Sequence, residues 1–309
     1  MAIPSGSLTG VTDIAALVQT AYDQYVRMAL RSIPVMRAIA DVKPVQQAMP
    51  GSSVVFSIYS DLAAATSTLT ETTDVSSVAL GNPSQVTVTL QEYGSAVTTT
   101  KKLNLTSFND VDAALADIIA YNAADSIDQV VASVLTAGTN VIYAGTATST
   151  NTITSSMTLS VADIREAVVQ LRTNKALPRI GELYAAYVHP RQSADLRAEA
   201  GTGGFQELTK YVDRTPFVAG AVGVLEGSFV VETPRVPYAA NSSSVNVYKA
   251  IIAGREALAE AMAQDISTVI GPEIDALRRF RTIGWYYFGG FNRLREAALY
   301  RIESATSIN

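Results

Sequence analysis

Hydrophobic residues near the start of the chain recur at the three- and four-residue spacing of an amphipathic helix. The pattern covers residues 13–42, and Thr12 or Asp13 can cap its first turn. Its apolar stripe consists of Ile14, Leu17, Val18, Ala21, Tyr25, Met28 and Ala29. Pro34 is expected to kink or end this helix, because a proline inside a helix loses a backbone hydrogen bond. A second short helix is predicted over residues 35–41.

The pattern then changes to the two-residue alternation of β-strands. Strands are predicted over residues 52–59 and from Val86 to Leu90, with the second continuing to Thr100. Gly94 within it indicates a bulge or a close backbone approach. Between these strands, residues 61–83 are rich in Ala, Ser and Thr and offer little to form a core. We expect them to form a long extended loop or hairpin that projects from the body, and loops of this length are usually functional or disordered.

A long helix follows over residues 109–136, with Ser107 and Asp110 spaced like a capping box. Its polar face carries four carboxylates without a basic residue between them: Asp112, Asp117, Asp125 and Asp128. These carboxylates could form a cation site or contact a basic partner. A solvated face is the favoured interpretation, because runs of like charge usually are solvated.

The second half of the chain alternates short strands and helices without a regular βαβ rhythm, which predicts the α+β class. The predicted elements are a hairpin around residues 141–143, a helix capped by Ser160 and ended by Asn174, strands at 184–188, 228–232 and 245–253, helices at 190–199 and 206–212, and final strands at 279–288 and 297–303. Gly289 and Gly290 are expected to separate the last two strands.

Composition narrows the class of protein. The 309 residues are 48% hydrophobic and only 17% charged, with a mean hydropathy of +0.19. This composition excludes a predominantly disordered chain, and no uninterrupted apolar run is long enough to span a membrane. So few charges leave much apolar surface, so we expect an oligomer; a monomer solvated by Thr and Ser hydroxyls is the alternative. The N-terminus does not resemble a secretory signal.

The same counts exclude most catalytic chemistry. The chain has no cysteine and one histidine, which leaves no disulfide, thiolate metal site or multi-histidine centre and makes nearly all histidine-based triads improbable. A net charge of −5 and a pI near 5.0 argue against a nucleic-acid binder driven by electrostatics. No cofactor and no metal are predicted.

Three local motifs are assigned no chemistry. The glycine-rich residues 201–204 lack the context of a phosphate-binding loop and are interpreted as a mobile loop. His189 is expected to make a hydrogen bond at a strand end. Glu256 and Glu260 are expected one helical turn apart, but a catalytic carboxylate pair also needs a pocket.

Arginine outnumbers lysine 17 to 6. The densest basic group is Arg278, Arg279 and Arg281, followed by Arg293, Arg295 and Arg301. Arginine favours planar contacts with carboxylates at interfaces, so these side chains could bind a neighbouring subunit. Strand residues that simply face solvent are the alternative.

The order of these elements resembles the major capsid protein of tailed bacteriophages. The likeness extends over nearly the whole chain and is carried by short phrases in a fixed order. These are Leu69-Thr70-Glu71, the strand from Val86 to Gly94, His189-Pro190 with Asp195-Leu196-Arg197, Val222-Gly223 with Gly227, Val230-Val231-Glu232-Thr233, Asp275-Ala276-Leu277-Arg278 and Ile283-Gly284-Trp285.

The resemblance implies an arm at residues 1–51, an extended loop with flanking strands at 52–100, a peripheral domain with a spine helix at 101–183, an axial domain at 184–261 and return strands at 262–309. It also implies subunit contacts, for which the candidates are Leu69, Glu71, Arg278, Arg279 and Arg281. A loop without its own core is stable only against a neighbour.

The resemblance further implies that many copies form hexamers and pentamers, which close into an icosahedral shell around double-stranded DNA without sequence-specific contacts. The expected location is the virion capsid, assembled in the bacterial cytoplasm, with a portal, decoration proteins and a separate scaffolding chain as further partners and no membrane. No coiled-coil-like region precedes Asp13, so no fused scaffold is expected. Residues 57–82 contain no lysine, so a loop-borne Lys-to-Asn crosslink is not expected.

Two alternatives remain open at this point. An encapsulin-like nanocompartment would share the fold but enclose protein cargo, recognised by a pocket for a cargo peptide. An oligomeric enzyme that uses only carboxylates is the alternative from another class. Genes for a portal or a terminase beside this one would favour the capsid, and a cofactor-dependent activity would favour the enzyme.

Overall fold

The computed structural model describes residues 33–44, 52–72, 74–75, 77–106, 111–200, 223–273 and 275–308. Helices and strands are mixed along this part of the chain, which confirms the predicted α+β class. The α-helices are α1 (Lys101–Thr106), α2 (Val111–Thr136), α3 (Val161–Thr173) and α4 (Pro190–Ala198). The strands are β1 (Ala40–Pro44), β2 (Ser53–Ile58), β3 (Ser84–Thr89), β4 (Gln91–Thr100), β5 (Val141–Tyr143), β6 (Tyr184–Val188), β7 (Gly223–Leu225), β8 (Ser228–Glu232), β9 (Tyr238–Ala240), β10 (Asn246–Ala253), β11 (Leu258–Ile270), β12 (Phe280–Arg293) and β13 (Leu299–Ser304).

The strands form two large sheets and one separate pair. A four-stranded sheet has the order β1-β11-β12-β4, with β1 parallel to β11 and the other pairs antiparallel. A seven-stranded sheet has the order β5-β13-β10-β6-β8-β7, and β9 pairs with β10 beside it. Strands β2 and β3 pair with each other as the root of the long loop.

The predicted long helix is confirmed as α2, and it packs against both sheets. Ile119 in its first half and Ile127 just past its middle are buried against Trp285 of the four-stranded sheet. Its second half buries Val131 and Leu135 in a cluster that includes residues of the seven-stranded sheet. One helix therefore connects the two sheets through its side chains.

The strands predicted around the long loop are present, but the second is not continuous. It is interrupted at Leu90, so that β3 pairs with β2 and β4 pairs with β12. Gly94 of β4 lies against β12, where an added Cβ would sit 2.8 Å from the Trp285 carbonyl oxygen. This is the close approach that the isolated glycine indicates. In the described part of residues 59–83, no helix or strand is present.

The prediction that Gly289 and Gly290 end a strand is wrong. Both residues lie inside β12, which continues to Arg293. A side chain at Gly290 would collide with the Thr89 carbonyl oxygen, and one at Gly289 would come within 2.8 Å of the Ala261 oxygen. The glycines are therefore required by close strand packing, not by a turn.

Two further local predictions are wrong because pairing with distant strands overrides the local pattern. Residues 36–39 form a single 3₁₀ turn and residues 40–44 form β1 instead of one short helix. Residues 141–143 form β5, which pairs in parallel with β13 and is not part of a hairpin.

Most other predicted elements of the second half are present. Ser160 caps α3 and shares a capping box with Asp163, and Asn174 follows the helix as its C-cap. The strand at 184–188 is buried throughout. The helices predicted before Pro34 and over residues 206–212, and the glycine-rich loop at 201–204, lie outside the described residues.

Residues 35–44 contact α2, the spine helix, and strands of both large sheets. The backbone N–H of Met36 donates to Asp128 Oδ1 of α2 at 2.6 Å, and β1 pairs with β11. Arg179 donates to Asp41 at 2.5 Å, and Tyr187 of β6 donates to the Val35 carbonyl oxygen at 3.2 Å. This segment, called the strap below, fixes the point where the first 32 residues join the described part of the chain.

Candidate subunit-contact surfaces

The extended loop at residues 59–83 presents apolar side chains to solvent. Leu69, a predicted contact residue, is 76% exposed, and Glu71 is also exposed. The other exposed large apolar side chains of the loop are Tyr59, Leu62, Val75, Val78 and Leu80. So many exposed apolar groups on one segment are typical of a surface that another protein covers.

The root of the loop is anchored, although the loop itself is not. Val54 of β2 and Val88 of β3 are buried in a cluster with Ala259 and Ala261 of β11. Lys43 of β1 donates to the Val55 carbonyl oxygen at 3.2 Å. The body of the protein therefore holds the root, from which the loop extends.

The loop is also uniformly acidic. Residues 44–100 contain no Lys, Arg or His, whereas Asp61, Glu71 and Asp74 all lie in the exposed loop. A surface with a single sign of charge favours a partner with the opposite sign.

The three arginines predicted as contact residues lie together at one end of the four-stranded sheet. Arg278 and Arg279 are exposed in the connection from β11 to β12, and Arg281 is partly buried in β12. Arg279 pairs with Asp275 at 2.5 Å, and its guanidinium lies 5.4 Å from the centroid of the Phe280 ring. These contacts link the Arg279 side chain to neighbouring residues of the same connection.

Exposed apolar side chains surround these arginines in the sequence and across the paired strands. Leu277 is 72% exposed, and the others are Val97 of β4, Leu103 and Leu105 of α1, and Val269 and Ile270 of β11. Together with Lys101 and Lys102 they form what we call the distal patch. It combines apolar and basic groups, while the loop combines apolar and acidic groups.

The downstream arginines have partners within the same chain, and their contact with a neighbouring subunit stays a prediction. Arg293 pairs with Glu296, and Arg295 pairs with Glu256 at 2.6 Å. Arg301 pairs with Glu303 at 2.8 Å and also donates to backbone oxygens at the end of α2. These ion pairs support the fold of the subunit.

The carboxylates of the spine helix do not form one solvated face. Asp128 is buried and accepts hydrogen bonds from the backbone N–H groups of Met36 and Arg37. Burial raises its pKa above the ordinary 3.8, and these backbone hydrogen bonds oppose the rise. Asp125 pairs with Arg235, and Asp117 is exposed. The side chain of Asp112 lies outside the described part.

The prediction that Glu256 and Glu260 share a helical turn is also wrong. Glu256 lies in a turn with φ of 61°, whereas Glu260 is buried in β11. The Glu260 carboxylate accepts from Arg37 Nη2 at 2.6 Å and from the Tyr287 hydroxyl at 2.9 Å. Burial and this carboxylate raise the pKa of Tyr287. The arrangement joins the strap to the sheet and offers no open position for a substrate.

The single histidine has the hydrogen-bonding role predicted for it. His189 Nδ1 accepts from the Arg191 N–H at 3.2 Å and caps α4, while its ring contacts Tyr248. Burial lowers the His189 pKa. Within the described ranges, no group of three His, Asp or Glu side chains could hold a metal ion, and no helix is long and apolar enough to cross a membrane.

A cleft of about 910 Å³ lies between α2 and the segment that leads into β9. It is lined by Ala137, which follows α2, and by these residues of α2: Tyr121, Gln129, Ala132, Ser133 and Thr136. The opposite wall consists of Pro234, Arg235, Val236, Pro237 and Tyr238, and Lys249 of β10 also faces the cleft. Sequence reasoning missed this cleft, because its two walls are separated by about a hundred residues.

Comparison with solved structures shows the same fold in phage shells. The capsid structure of cyanophage P-SCSP1u matches with a TM-score of 0.75 at 17% identity, covering 99% of this chain and 97% of that one. The capsid of Ralstonia phage GP4 matches with a TM-score of 0.76 at 15% identity, covering 97% and 98%. The acidic stable capsid structure of Helicobacter pylori bacteriophage KHP30 matches with a TM-score of 0.74 at 15% identity, covering 96% and 98%.

Comparison with curated proteins gave no match. The sequence model described as phage capsid protein, by contrast, matches residues 9–308. That range includes both large sheets, the spine helix, the extended loop and the distal patch. The chain therefore belongs to the phage capsid protein family, and its role is that of a structural capsid protein.

Proposed function

We propose that this chain is the shell-forming subunit of a phage capsid, whose copies form hexamers and pentamers that close into an icosahedral shell around double-stranded DNA. The observation that carries the proposal is the extended loop, a long coreless segment with exposed apolar side chains on a rigid root. Such a segment gains stability only when a neighbouring copy covers it. The virion is the proposed location, with assembly in the bacterial cytoplasm.

Within this shell, we propose that the extended loop and the distal patch are contact surfaces with complementary character. Leu69 and Glu71 belong to the acidic loop, and Arg278, Arg279 and Arg281 belong to the basic patch. Contact between the two surfaces on different copies would cover apolar groups and neutralise charge at once. A contact between two different surfaces can be repeated around a ring, as a capsomer requires.

The test is the substitution Leu69→Asp in the full chain, with Thr173→Asp on the exposed side of α3 as the matched control. Leu69→Asp is expected to reduce shell yield at least about tenfold, because a contact that loses about 1.4 kcal/mol per copy weakens tenfold. Its unfolding midpoint should stay unchanged, since Leu69 has no contact in the subunit core. Normal shells from Leu69→Asp, counted by negative-stain electron microscopy, would contradict the proposed contact.

We also propose a domain division. The peripheral domain comprises α2 with the four-stranded sheet, and the axial domain comprises the seven-stranded sheet; the packing of α2 on Trp285 supports the first assignment. This division moves β4 from the loop region of residues 52–100 into the peripheral domain, because β4 pairs along its whole length with β12.

Packaged DNA is proposed to make no sequence-specific contact with the shell. A net charge of −5 supports weak interaction with the phosphate backbone. Purified shells should therefore bind DNA only weakly at physiological salt, and tight binding would contradict this point. Particles from infected cells should contain nuclease-protected DNA; protein cargo without DNA would favour an encapsulin-like compartment instead. Scaffolding, portal and decoration proteins remain proposed partners.

A further inference from the structure

The cleft beside the spine helix is long enough to hold another helix. Its α2 wall runs from Tyr121 to Thr136, fifteen residues apart, which corresponds to about 22 Å of helix. Its floor contains small or apolar side chains, Ala132 and Val236, which are both buried. Small residues on a helix allow a second helix to approach closely, at about 8–10 Å between the axes.

The strap brings the first 32 residues to this cleft. Met36 bonds to Asp128 of α2 and shares one buried cluster with Ala132 and Val236 of the cleft floor. Ile33, where the described chain begins, is exposed at this position. The residues immediately before Ile33 therefore start beside the cleft.

The sequence of the preceding segment matches the cleft in length. The apolar stripe from Ile14 to Ala29 covers fifteen residue steps, or about 22 Å as a helix. The four Cα–Cα steps from Ala29 to Ile33 span at most about 13–14 Å when extended, which exceeds half the length of the cleft. The connection can therefore reach the helix end from the middle of the groove.

We propose that residues 13–32 bind as an amphipathic helix in the cleft of their own chain, with the apolar stripe against Ala132 and Val236. The arm would then complete the packing of the spine helix. This inference does not depend on the shell proposal, because it concerns one subunit and can be tested before assembly.

Engineered cysteines provide a clean test, because the chain contains none of its own. Met28 of the stripe is replaced by cysteine together with Gln129→Cys or Ser133→Cys at the cleft. Since a disulfide requires Cα atoms about 4.4–6.8 Å apart, only a docked arm forms it readily. Gln19→Cys, on the opposite side of the predicted helix, paired with the same cleft positions is the matched control. At least one cysteine pair with position 28 should crosslink within the chain about tenfold faster than its control, because docking raises the effective concentration of one cysteine at the other.

A second measurement does not depend on the choice of cysteine pair. Ser133→Cys alone is alkylated in the full chain, with Ala162→Cys on exposed α3 as the reference site. The substitutions Leu17→Asp and Tyr25→Asp place charges in the apolar stripe and should lower the free energy of releasing the arm from the cleft by at least about 1.4 kcal/mol. Alkylation of Cys at position 133 should therefore become about tenfold faster, while alkylation at position 162 stays unchanged.

The outcomes separate the possible occupants. Intrachain crosslinks with stripe-dependent protection support the proposal. Crosslinks only between chains, in equimolar mixtures of differently tagged subunits, would assign the cleft to a neighbouring arm and overturn it. The proposal would also be overturned if the cysteine pairs at positions 28 and 19 crosslink at equal rates and the stripe substitutions do not change alkylation at position 133. The cleft would then be left to a separate protein such as a scaffold.

Discussion

The buried Glu260 carboxylate allows a quantitative test of how the strap is held. Glu260 is 0% exposed and receives Arg37, which is itself 30% exposed, together with the Tyr287 hydroxyl. Replacing Arg37 by Met removes the only cation that the structure gives this carboxylate among the described residues. Removing one partner of a buried ion pair costs about 3–5 kcal/mol, because a charge stays buried without compensation.

We expect Arg37→Met to lower the free energy of unfolding by about 3 kcal/mol, the lower end of this range. Arg37 is partly exposed, and the hydrogen bond from Tyr287 to Glu260 remains in the variant. The double variant Arg37→Met with Glu260→Met should be less damaging than Arg37→Met alone, since no buried charge is left. Comparison with Glu260→Met alone completes the cycle, and the coupling energy should be about 2–3 kcal/mol.

The assay is urea unfolding of the unassembled subunit, followed by intrinsic fluorescence of Trp285 and the tyrosines. The midpoint should fall while the slope stays constant, which indicates a change in stability and not in the extent of unfolding. If the free energy of unfolding falls by less than about 1 kcal/mol, the range of exposed ion pairs, this pair is not a buried anchor of the strap.

Three further predictions concern the spine helix and its sheet. Trp285→Ala should cost about 3–5 kcal/mol in urea unfolding, because it empties the contact with Ile119 and Ile127; Tyr286→Phe on the other side of β12 is the control. Asp128→Asn keeps an oxygen acceptor for Met36 but does not titrate. Since burial raises the folded-state pKa of Asp128 above 3.8, the ionised carboxylate lowers wild-type stability as pH rises through that folded pKa. The Asn variant should therefore gain stability relative to wild type as pH rises above about 4, and a difference that stays constant with pH would contradict the assignment. Gly290→Ala should lower the unfolding midpoint by several degrees and reduce soluble yield, because its Cβ meets the Thr89 backbone; an unchanged midpoint would contradict the close strand packing.

Local patterns predicted the elements whose side-chain periodicity decides their structure. The helix around Ile119 and Ile127, the capping role of Ser160 and the buried strand that begins at Tyr184 are all readable from spacing and capping chemistry. The extended loop is predictable because its apolar residues recur with neither the spacing of a helix nor that of a strand. Leu69, which lies in it, is therefore expected to be exposed, as the structure shows.

Long-range pairing explains what spacing could not predict. Residues 40–44 become a strand because β11, more than two hundred residues later, offers an edge for pairing. Asp128 is buried because the strap supplies N–H donors from about ninety residues away. The local sequence at Gly289 and Gly290 predicts the end of a strand, yet these glycines lie inside β12 and allow close contact with other strands. None of these partners is visible within a local window of sequence.

The candidate contact surfaces divide in the same way. Arg278 and Arg279 are exposed, as an interface requires, and Arg279 also pairs with Asp275 of its own chain. Arg293, Arg295 and Arg301 likewise pair with carboxylates of their own chain. Composition shows the excess of arginine but not these partners, which only the folded arrangement brings together.

Assembly of many copies of this chain into a closed shell can be observed by negative-stain electron microscopy with light scattering on the full chain, produced with and without a co-expressed candidate scaffold. We expect closed shells of uniform diameter or rings of five and six subunits in at least one of these preparations, and loss of both with Leu69→Asp. A monodisperse monomer or dimer in every preparation would show that the chain does not form a shell.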